Sequence, residues 1–329
     1  MWSDGSGNQR APAAPDLSVV IVNWNVRHLL AVCLRSVERS ATLSGVTAEH
    51  IVVDNASTDG SPDMVRAEFP QVRLVALDEN RGYAAGVNCG LRLARGRHVL
   101  VLNPDTEAVG DAVGQLVRFL DEHSAVGVVG PRLVYPDGSF QPSRRRFHPL
   151  PVLFFQDTAL HPLAVPWLSR FFVTDRPADV AQPVDWLVGA VLCVRREVVE
   201  TVGGMDEGFF MYFEEADWLR RIKATGWSVW FVPQATFVHH EGASSGQVKP
   251  ARHLRYARSR ICYAARWHGR WTARLLWAWL LAHFGWQLAI ERAKLGLGHK
   301  PALRRERVAA YRFVLRELWR ARQPCASSS

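Results

Sequence analysis

Short apolar runs alternate with segments of helical periodicity over residues 16–131, and this alternation limits the fold more than any other feature of the chain. The apolar runs predict strands at residues 18–22, 51–53, 72–76, 98–102 and 126–129. The segments between them predict helices at residues 28–40, 64–69, 84–95 and 111–122. Strands that are joined by helices pair in parallel and are covered on both faces. We therefore expect an α/β fold with a mainly parallel, doubly wound central sheet.

The composition changes at three points along the chain. The first segment is polar and rich in Gly, Pro and Ala, without the apolar core of a signal peptide, so we expect a flexible leader. The second carries the alternation described above. The third contains turns and prolines, with further predicted strands and a helix, and the fourth is basic and rich in Trp. The segments are residues 1–15, 16–131, 132–245 and 246–329.

The charge is distributed unevenly. The chain has a net charge of +9, but residues 249–322 contain 18 Lys and Arg against three acids, a net of +15. The rest of the chain therefore carries a net charge of −6. A basic segment on an acidic body predicts an anionic partner, either nucleic acid or a membrane surface. No nucleic-acid-binding motif accompanies the basic residues, so we expect no nucleic acid partner.

Residues 275–290 have no formal charge and contain three tryptophans. As a helix this stretch reaches about 24 Å, which is short of the roughly 30 Å hydrocarbon core of a bilayer. Arg266, Arg270 and Arg274 precede it, and Arg292 and Lys294 follow it. We expect attachment to an anionic membrane surface, in preference to a spanning helix, an ordinary packed helix or a homo-oligomer contact.

Five cysteines are scattered along the chain without a CxxC pair. Their odd number and spacing argue for a reducing compartment, and against a disulfide framework or a cysteine zinc site.

Acidic residues follow two of the predicted strands. Asp54 follows the second strand, and Asn103-Pro104-Asp105 follows the strand at 98–102. Open α/β sheets bind ligands at the carboxyl ends of their strands. Taken singly, Asp54 is equally typical of an Asx turn and His239 of a structural histidine. Together with an acidic run at 214–217, they predict a nucleotide-sugar site with a metal.

Two local sequences refine this hypothesis. Small residues after Arg81-Gly82 open a helix whose N-terminus favours a diphosphate. There is neither a P-loop nor a GxGxxG after the first strand, so a dinucleotide-binding fold is not expected. The aromatic stretch at 210–213 precedes the acidic run. Acids in a first helical turn are also typical of simple capping, but an apolar wall raises a carboxylate's pKa, which suits a general base.

The chain resembles the inverting family-2 glycosyltransferases of the GT-A fold, in particular their bacterial rhamnosyltransferases. The resemblance spans about residues 16–245. The matching stretches occur in the family's order, at residues 18–25, 53–61, 80–88, 102–106, 186–190, 203–210 and 214–217 and at His239.

The resemblance implies roles for individual residues. Mg²⁺ or Mn²⁺ would be held by Asp105 and His239. Glu215 falls where the family places its catalytic base, usually an Asp, which leaves the choice between Glu214 and Glu215 open; Asp217 would orient the helix or the acceptor. Residues implied to bind the nucleotide-sugar donor are Asn23, Trp24, Asp54, Asn55, Arg81, Gly82, Asn88, Asn103 and Asp105. Those implied to bind the acceptor are Asp185, Trp186, Gly189 and Arg145, the last within a run, 144–146, that is equally typical of a solvated surface.

The resemblance also implies the reaction. The expected activity is transfer of L-rhamnose from dTDP-rhamnose, with inversion, to a hydroxyl of a glycan or of a polyprenyl-diphosphate-linked acceptor in cell-envelope polysaccharide synthesis. Residues 16–131 would bind the donor and residues 132–245 the acceptor, on the cytoplasmic face of the plasma membrane. The alternatives are a non-catalytic nucleotide-sugar-binding relative, a transferase for another UDP-, dTDP- or GDP-sugar, and a nucleotidyltransferase.

Overall fold

The computed structural model describes residues 14–158, 160–242 and 249–320, so the leader and the extreme C-terminus lie outside the described residues. The elements of residues 16–134 are β1 (Leu17–Asn23), α1 (Arg27–Ser44), β2 (Ala48–Asp54), α2 (Ser61–Glu68), β3 (Arg73–Ala76), α3 (Tyr83–Leu93), β4 (His98–Leu102), β5 (Thr106–Val109), α4 (Ala112–Glu122) and β6 (Val126–Val134).

The following half begins with short elements and ends with the longest strand. Its strands are β7 (Phe140–Gln141), β8 (Arg144–Arg145), β9 (Gln182–Val184), β10 (Trp186–Leu187), β11 (Val191–Arg195) and β12 (Ser228–His239). Its helices are α5 (Leu150–Phe155), a 3₁₀ turn (His161–Ala164), α6 (Val165–Phe171), α7 (Arg196–Val202) and α8 (Glu214–Ala224). The C-terminal extension consists of α9 (Lys249–His268), α10 (Arg270–Gly296) and α11 (Pro301–Arg320).

The central sheet has the strand order β3-β2-β1-β4-β11-β6-β12-β5. Strands β1 to β4 pair in parallel, as do β6 and β12, which confirms the expected mainly parallel α/β sheet. Strand β11 runs antiparallel between β4 and β6. Strand β5 runs antiparallel to β12 at the sheet edge, and the sequence analysis did not predict it.

Alternation along β1 explains why both faces of the sheet are covered. Val19 and Ile21 pack with α1 and α4 on one face, whereas Val20 and Val22 pack with α3 and α8 on the other. All four side chains are buried. Successive residues of a strand point to opposite faces, so a continuous apolar run is what a doubly covered strand requires.

The extension folds onto its own apolar cluster and onto the body. Leu276 and Phe284 of α10 pack with residues of α9 and α11 in this cluster. A buried ion pair between Arg304 and Glu291, at 2.8 Å, joins α11 to α10. On the body side, Ser259 donates a hydrogen bond of 2.8 Å to the carbonyl of Met211, which lies just before α8. The extension is thus anchored next to the predicted catalytic helix.

Two expectations about the C-terminal part can be compared with the structure. Helix α10 contains the expected stretch 275–290 and extends it at both ends. Within the described parts of the chain, no helix combines the length and apolar character needed to cross a bilayer. Cys33, Cys89 and Cys193 carry free thiols, whereas Cys262 is disulfide-bonded.

Candidate active site

A cavity of about 290 Å³ opens at the carboxyl ends of β1 and β4, between the first turns of α3 and α8. This is the edge at which open α/β sheets bind ligands. The cavity collects predicted residues from the donor, acceptor, metal and catalytic sets. They are Trp24, Asn55, Gly82, Asn103, Asp105, Gly189, Glu214, Glu215 and His239.

The pairing of β5 with β12 brings Asp105 and His239 together. His239 lies opposite Thr106, the first residue of β5, and the next backbone N–H, that of His240, donates to the carbonyl of Asp105 at 2.9 Å. The Nε2 atom of His239 then lies 3.5 Å from Oδ1 of Asp105. Both residues are 5% exposed. Two candidate ligand atoms therefore face one another at the wall of the cavity.

Gln141 fixes the orientation of the His239 ring. Its Nε2 atom donates to Glu241 at 2.9 Å, so its Oε1 atom is the one that lies 2.9 Å from Nδ1 of His239. An oxygen at this position accepts a hydrogen bond from the N–H at Nδ1. The lone pair of Nε2 is then directed towards Asp105. A second hydrogen bond of this kind is typical of metal-ligating histidines. Gln141 could not be predicted from the sequence, because a polar residue 98 positions away gives no local signal.

Asp105 and His239 fit a metal ion whose remaining ligands come from a substrate. Within the described ranges no cluster of three or more His, Cys, Asp or Glu side chains could hold a metal ion. Asp105 and His239 are therefore two ligands of an incomplete set. Mg²⁺ and Mn²⁺ are commonly bound by one or two protein groups together with substrate phosphates.

Unusual backbone conformations place the two candidate bases. Tyr212 and Phe213, the two residues before α8, have φ angles of 72° and 67°, a left-handed conformation that costs about 1–3 kcal/mol for a side chain of this kind. The Phe213 ring packs against Tyr256 and Tyr263 of α9, with centroids 5.4 Å away in each case. This packing holds the turn that directs Glu214 and Glu215 into the cavity.

The two glutamates differ in their electrostatic surroundings. Burial raises the pKa of Glu214 well above its usual range, and the charge of Glu215 adds to the shift. Burial also raises the pKa of Glu215, but backbone N–H groups, that of Gly189 among them, and the guanidinium of Arg145 lower it. Glu215 is therefore the one that ionises first. Among the described residues, the Oε2 atoms of both Glu214 and Glu215 are buried and have no hydrogen-bond partner.

Gly189 and Gly82 allow the backbone to approach its neighbours closely. A Cβ atom on Gly189 would lie 3.2 Å from Cβ of Glu215, and one on Gly82 would lie 2.5 Å from the carbonyl oxygen of Phe210. Gly82 also has a φ of 90°, which favours glycine. The phenol of Tyr83, which follows Gly82, donates to the carbonyl of Gly189 at 3.2 Å. These contacts join the start of α3 to the loop beside Glu215.

Several predicted donor-binding residues lie outside the lining of the cavity. Both carboxylate oxygens of Asp54 are engaged, one by Nδ2 of Asn23 at 2.7 Å and the other by the backbone N–H of Ser57 at 2.8 Å. Asn88 makes 2.8 Å hydrogen bonds to both backbone polar groups of Met205. In this structure Asp54 and Asn88 stabilise loops. Arg81 also lies outside the lining of the cavity. Their contact with a donor stays a prediction.

Asp217 is placed away from the cavity. It is fully buried, and its carboxylate accepts hydrogen bonds of 2.9 Å from each of its partners, Arg221, Arg266 and Trp267. The last two belong to α9. The expected role of orienting its helix fits these contacts, whereas a direct catalytic or acceptor contact does not.

The predicted acceptor-binding residues lie in different surroundings in the structure. Asp185 binds Lys223 at 2.7 Å and the backbone N–H of Phe147 at 3.1 Å, and the indole of Trp186 donates to the carbonyl of Arg146. Neither residue lines the cavity. Arg145 lies 4.5 Å from the centroid of Phe172, and burial lowers its pKa to about 10, against the attraction of Glu215. Arg145 is a half-buried cation beside Glu215, and Arg144 is buried, so the run 144–146 is not a fully solvated surface.

Comparison with known proteins agrees with this geometry. The structure resembles a mannosyltransferase from Pyrobaculum calidifontis, solved with GDP-Man and Mn²⁺, with a TM-score of 0.53 at 19% identity over 94% of this chain and 89% of that one. The protein thus has the GT-A fold. The sequence model described as Glycosyl transferase family 2 matches residues 18–203, more than half of the chain. The chain therefore belongs to glycosyl transferase family 2.

Two relatives are described as rhamnosyltransferases. An N-acetylglucosaminyl-diphospho-decaprenol L-rhamnosyltransferase of Mycobacterium tuberculosis is 33% identical over 69% of this chain and 78% of its own length. A dTDP-rhamnosyl transferase of Shigella flexneri is 25% identical over 60% of this chain and 62% of its own length.

Proposed function

We propose that this protein is an inverting glycosyltransferase that moves L-rhamnose from dTDP-rhamnose to a hydroxyl of a polyprenyl-diphosphate-linked acceptor in cell-envelope glycan synthesis. The observation that carries the proposal is that Glu215 and the Asp105–His239 pair line one cavity, so a base and an anion-stabilising site serve a single reaction. The choice of sugar and acceptor is supported by the names of the two relatives.

The reaction would be a single displacement. Glu215 accepts the proton of the acceptor hydroxyl while the oxygen of that hydroxyl attacks the anomeric carbon from the face opposite the diphosphate. The bond from the anomeric carbon to the diphosphate oxygen breaks, and the electron pair leaves with the nucleoside diphosphate. Glu214, whose pKa is raised further, keeps its proton. Burial raises the pKa of Glu215, but nearby backbone N–H groups and the charge of Arg145 favour its ionised form, which a general base requires.

The diphosphate would lie at Asp105 and His239. A Mg²⁺ or Mn²⁺ ion bound there would offset the charge that develops on the leaving oxygen. The protein's own part is to hold two ligand atoms in fixed orientation, through Gln141 and the pairing of β5 with β12.

A panel of nucleotide sugars tests the class of reaction. We expect release of a nucleoside diphosphate with dTDP-rhamnose and an acceptor, measured by chromatography. Release of pyrophosphate would indicate a nucleotidyltransferase, and binding without release would indicate a non-catalytic relative.

We also propose that α10 attaches the protein to an anionic membrane, on the cytoplasmic face. Its buried face carries Leu276 and Phe284. Between residues 271 and 289, its exposed apolar residues recur every three or four positions along one stripe, in which Arg274 is also exposed. They are Trp271, Leu275, Ala278, Ala282, Trp286 and Ala289. Basic residues flank the stripe at both ends, which is the pattern of an interfacial helix.

A matched pair of substitutions tests the membrane proposal. Leu275 and Leu43 are each 65% exposed, but only Leu275 lies on the stripe. We expect Leu275→Glu to weaken binding to phosphatidylglycerol-containing vesicles by about tenfold or more, because an apolar side chain loses its burial. Leu43→Glu should bind as the wild type does, in co-sedimentation at low salt. A Leu275→Glu variant that sediments like the wild type would contradict the proposal, and self-association into a homo-oligomer would then be examined instead.

A further inference from the structure

Two arginines of the extension reach the cavity of the body. Arg252 and Arg255 lie in the first two turns of α9 and line the same cavity as Asp105 and Glu215. Residues three positions apart lie on the same face of a helix, so the two guanidinium groups form one basic surface. Neither residue was predicted from the sequence.

These arginines differ from Arg258 and Arg266 of the same helix in their ion pairs. Arg266 lies 2.7 Å from Asp206 and 2.9 Å from Asp217, and Arg258 lies 3.9 Å from Glu317. Among the residues that the structure describes, no ion pair involves Arg252 or Arg255. Two cations that line a cavity and are not paired with any of its carboxylates are suited to an anionic ligand.

Arg255 is held in place by stacking rather than by a charge. Its guanidinium carbon lies 4.2 Å from the centroid of the Phe210 ring. The carbonyl of Phe210 accepts the backbone N–H of Tyr83 at 2.8 Å, at the start of α3. Arg255 is half-buried, and burial lowers its pKa, because desolvation disfavours the charged form of the guanidinium. The side chain is therefore fixed beside the N-terminus of α3, which itself favours anions.

We propose that Arg252 and Arg255 bind a substrate diphosphate. The planar guanidinium forms paired hydrogen bonds with phosphate oxygens and keeps its charge at any working pH. Two substrates of the proposed function, on which this inference rests, carry a diphosphate: the nucleotide-sugar donor and the polyprenyl-linked acceptor. The chemical group that the two substrates share is the diphosphate. Helix α9 connects the surface formed by Arg252 and Arg255 to α10.

Calorimetric titration of the full chain tests the proposal with two probes, dTDP and farnesyl diphosphate. We expect Arg252→Gln and Arg255→Gln each to raise the Kd of one probe by about tenfold or more, the scale of a charged hydrogen bond. The double variant should raise that Kd further. A rise for dTDP assigns the site to the donor, and a rise for farnesyl diphosphate assigns it to the acceptor. Arg39→Gln, an exposed arginine of α1 outside the cavity, is the matched control.

Further variants keep the result decisive. Arg255→Lys retains the charge but not the planar stacking, so we expect its Kd to lie between those of the wild type and Arg255→Gln. Circular dichroism monitors folding, and Arg252 is exposed, so Arg252→Gln carries the test if Arg255→Gln unfolds. The inference is overturned if the double variant binds both probes within twofold of Arg39→Gln, or if the wild type binds neither. Binding without rhamnose transfer would contradict the proposed function alone.

Discussion

Replacing Glu215 with glutamine is expected to lower kcat by about 10²–10⁴-fold, the usual contribution of a general base. The amide has nearly the same shape but cannot accept the proton of the acceptor hydroxyl. The Kd for the donor should change little, because the substitution leaves Asp105 and His239 in place. Steady-state kinetics with saturating donor, together with a donor titration, measure the two quantities.

Glu214→Gln is the matched control, since the two carboxyl groups are adjacent and both line the cavity. If Glu214 keeps its proton, an amide replaces a neutral acid, and kcat should fall by much less than in Glu215→Gln. Loss of activity in Glu214→Gln with an active Glu215→Gln would reverse the assignment of the base.

The same assignment gives the sign of the pH dependence. The pKa of Glu215 is raised above its ordinary value of 4.5, and the base is active only when deprotonated. The kcat/KM should therefore fall as the pH decreases through that raised pKa, on a limb that lies above pH 4.5. Arg145→Gln removes a charge that lowers this pKa, so it should move the limb to higher pH.

Replacing Asp105 with asparagine is expected to reduce kcat by about 10²–10³-fold, the range seen when one group that stabilises developing charge is removed. It should also weaken Mn²⁺ binding in the presence of dTDP, because an anionic ligand becomes neutral. Kinetics across a Mn²⁺ titration and after chelation measure both effects. Full activity in excess EDTA would show that transfer does not require a metal ion.

Two controls accompany the Asp105 variant. Asp63→Asn alters an aspartate whose side chain is 86% exposed on α2, and it should behave as the wild type. Gln141→Leu removes the hydrogen bond that orients His239, and loss of such a partner typically costs 10–100-fold in metal affinity. A Gln141→Leu variant with unchanged Mn²⁺ affinity would show that the ring orientation is not used for a metal.

The fold could be predicted from the sequence where strands are buried on both faces. Strands β1, β2 and β4 are buried almost throughout, so their apolar runs are unbroken and easy to recognise. Strand β5 was missed because its four residues, Thr106–Val109, are only partly apolar. It is a strand because of its pairing with β12, which continues through an irregularity between Val232 and Thr236.

The candidate site was predicted where order along the chain carries information. Asp105, Glu215 and His239 come from motifs whose sequence positions match a family, and the structure brings all three to one cavity. Arg252 and Arg255 reach the same cavity, and Gln141 contacts His239, through tertiary contacts that no local pattern reveals. Conversely, Asp217 and Asp185 belong to motif-like stretches, yet their carboxylates are used by neighbouring cations.

The central claim is rhamnosyl transfer onto a lipid-linked acceptor with inversion at the anomeric carbon. Incubation of the full chain with dTDP-rhamnose, Mn²⁺ and an N-acetylglucosaminyl-diphospho-prenyl acceptor tests it directly, with products analysed by mass spectrometry and NMR. We predict a product heavier by one deoxyhexose residue, with the anomeric configuration opposite to that of the donor, and no product with Glu215→Gln on the same timescale. An unmodified acceptor, or a product that retains the donor's configuration, would contradict the account.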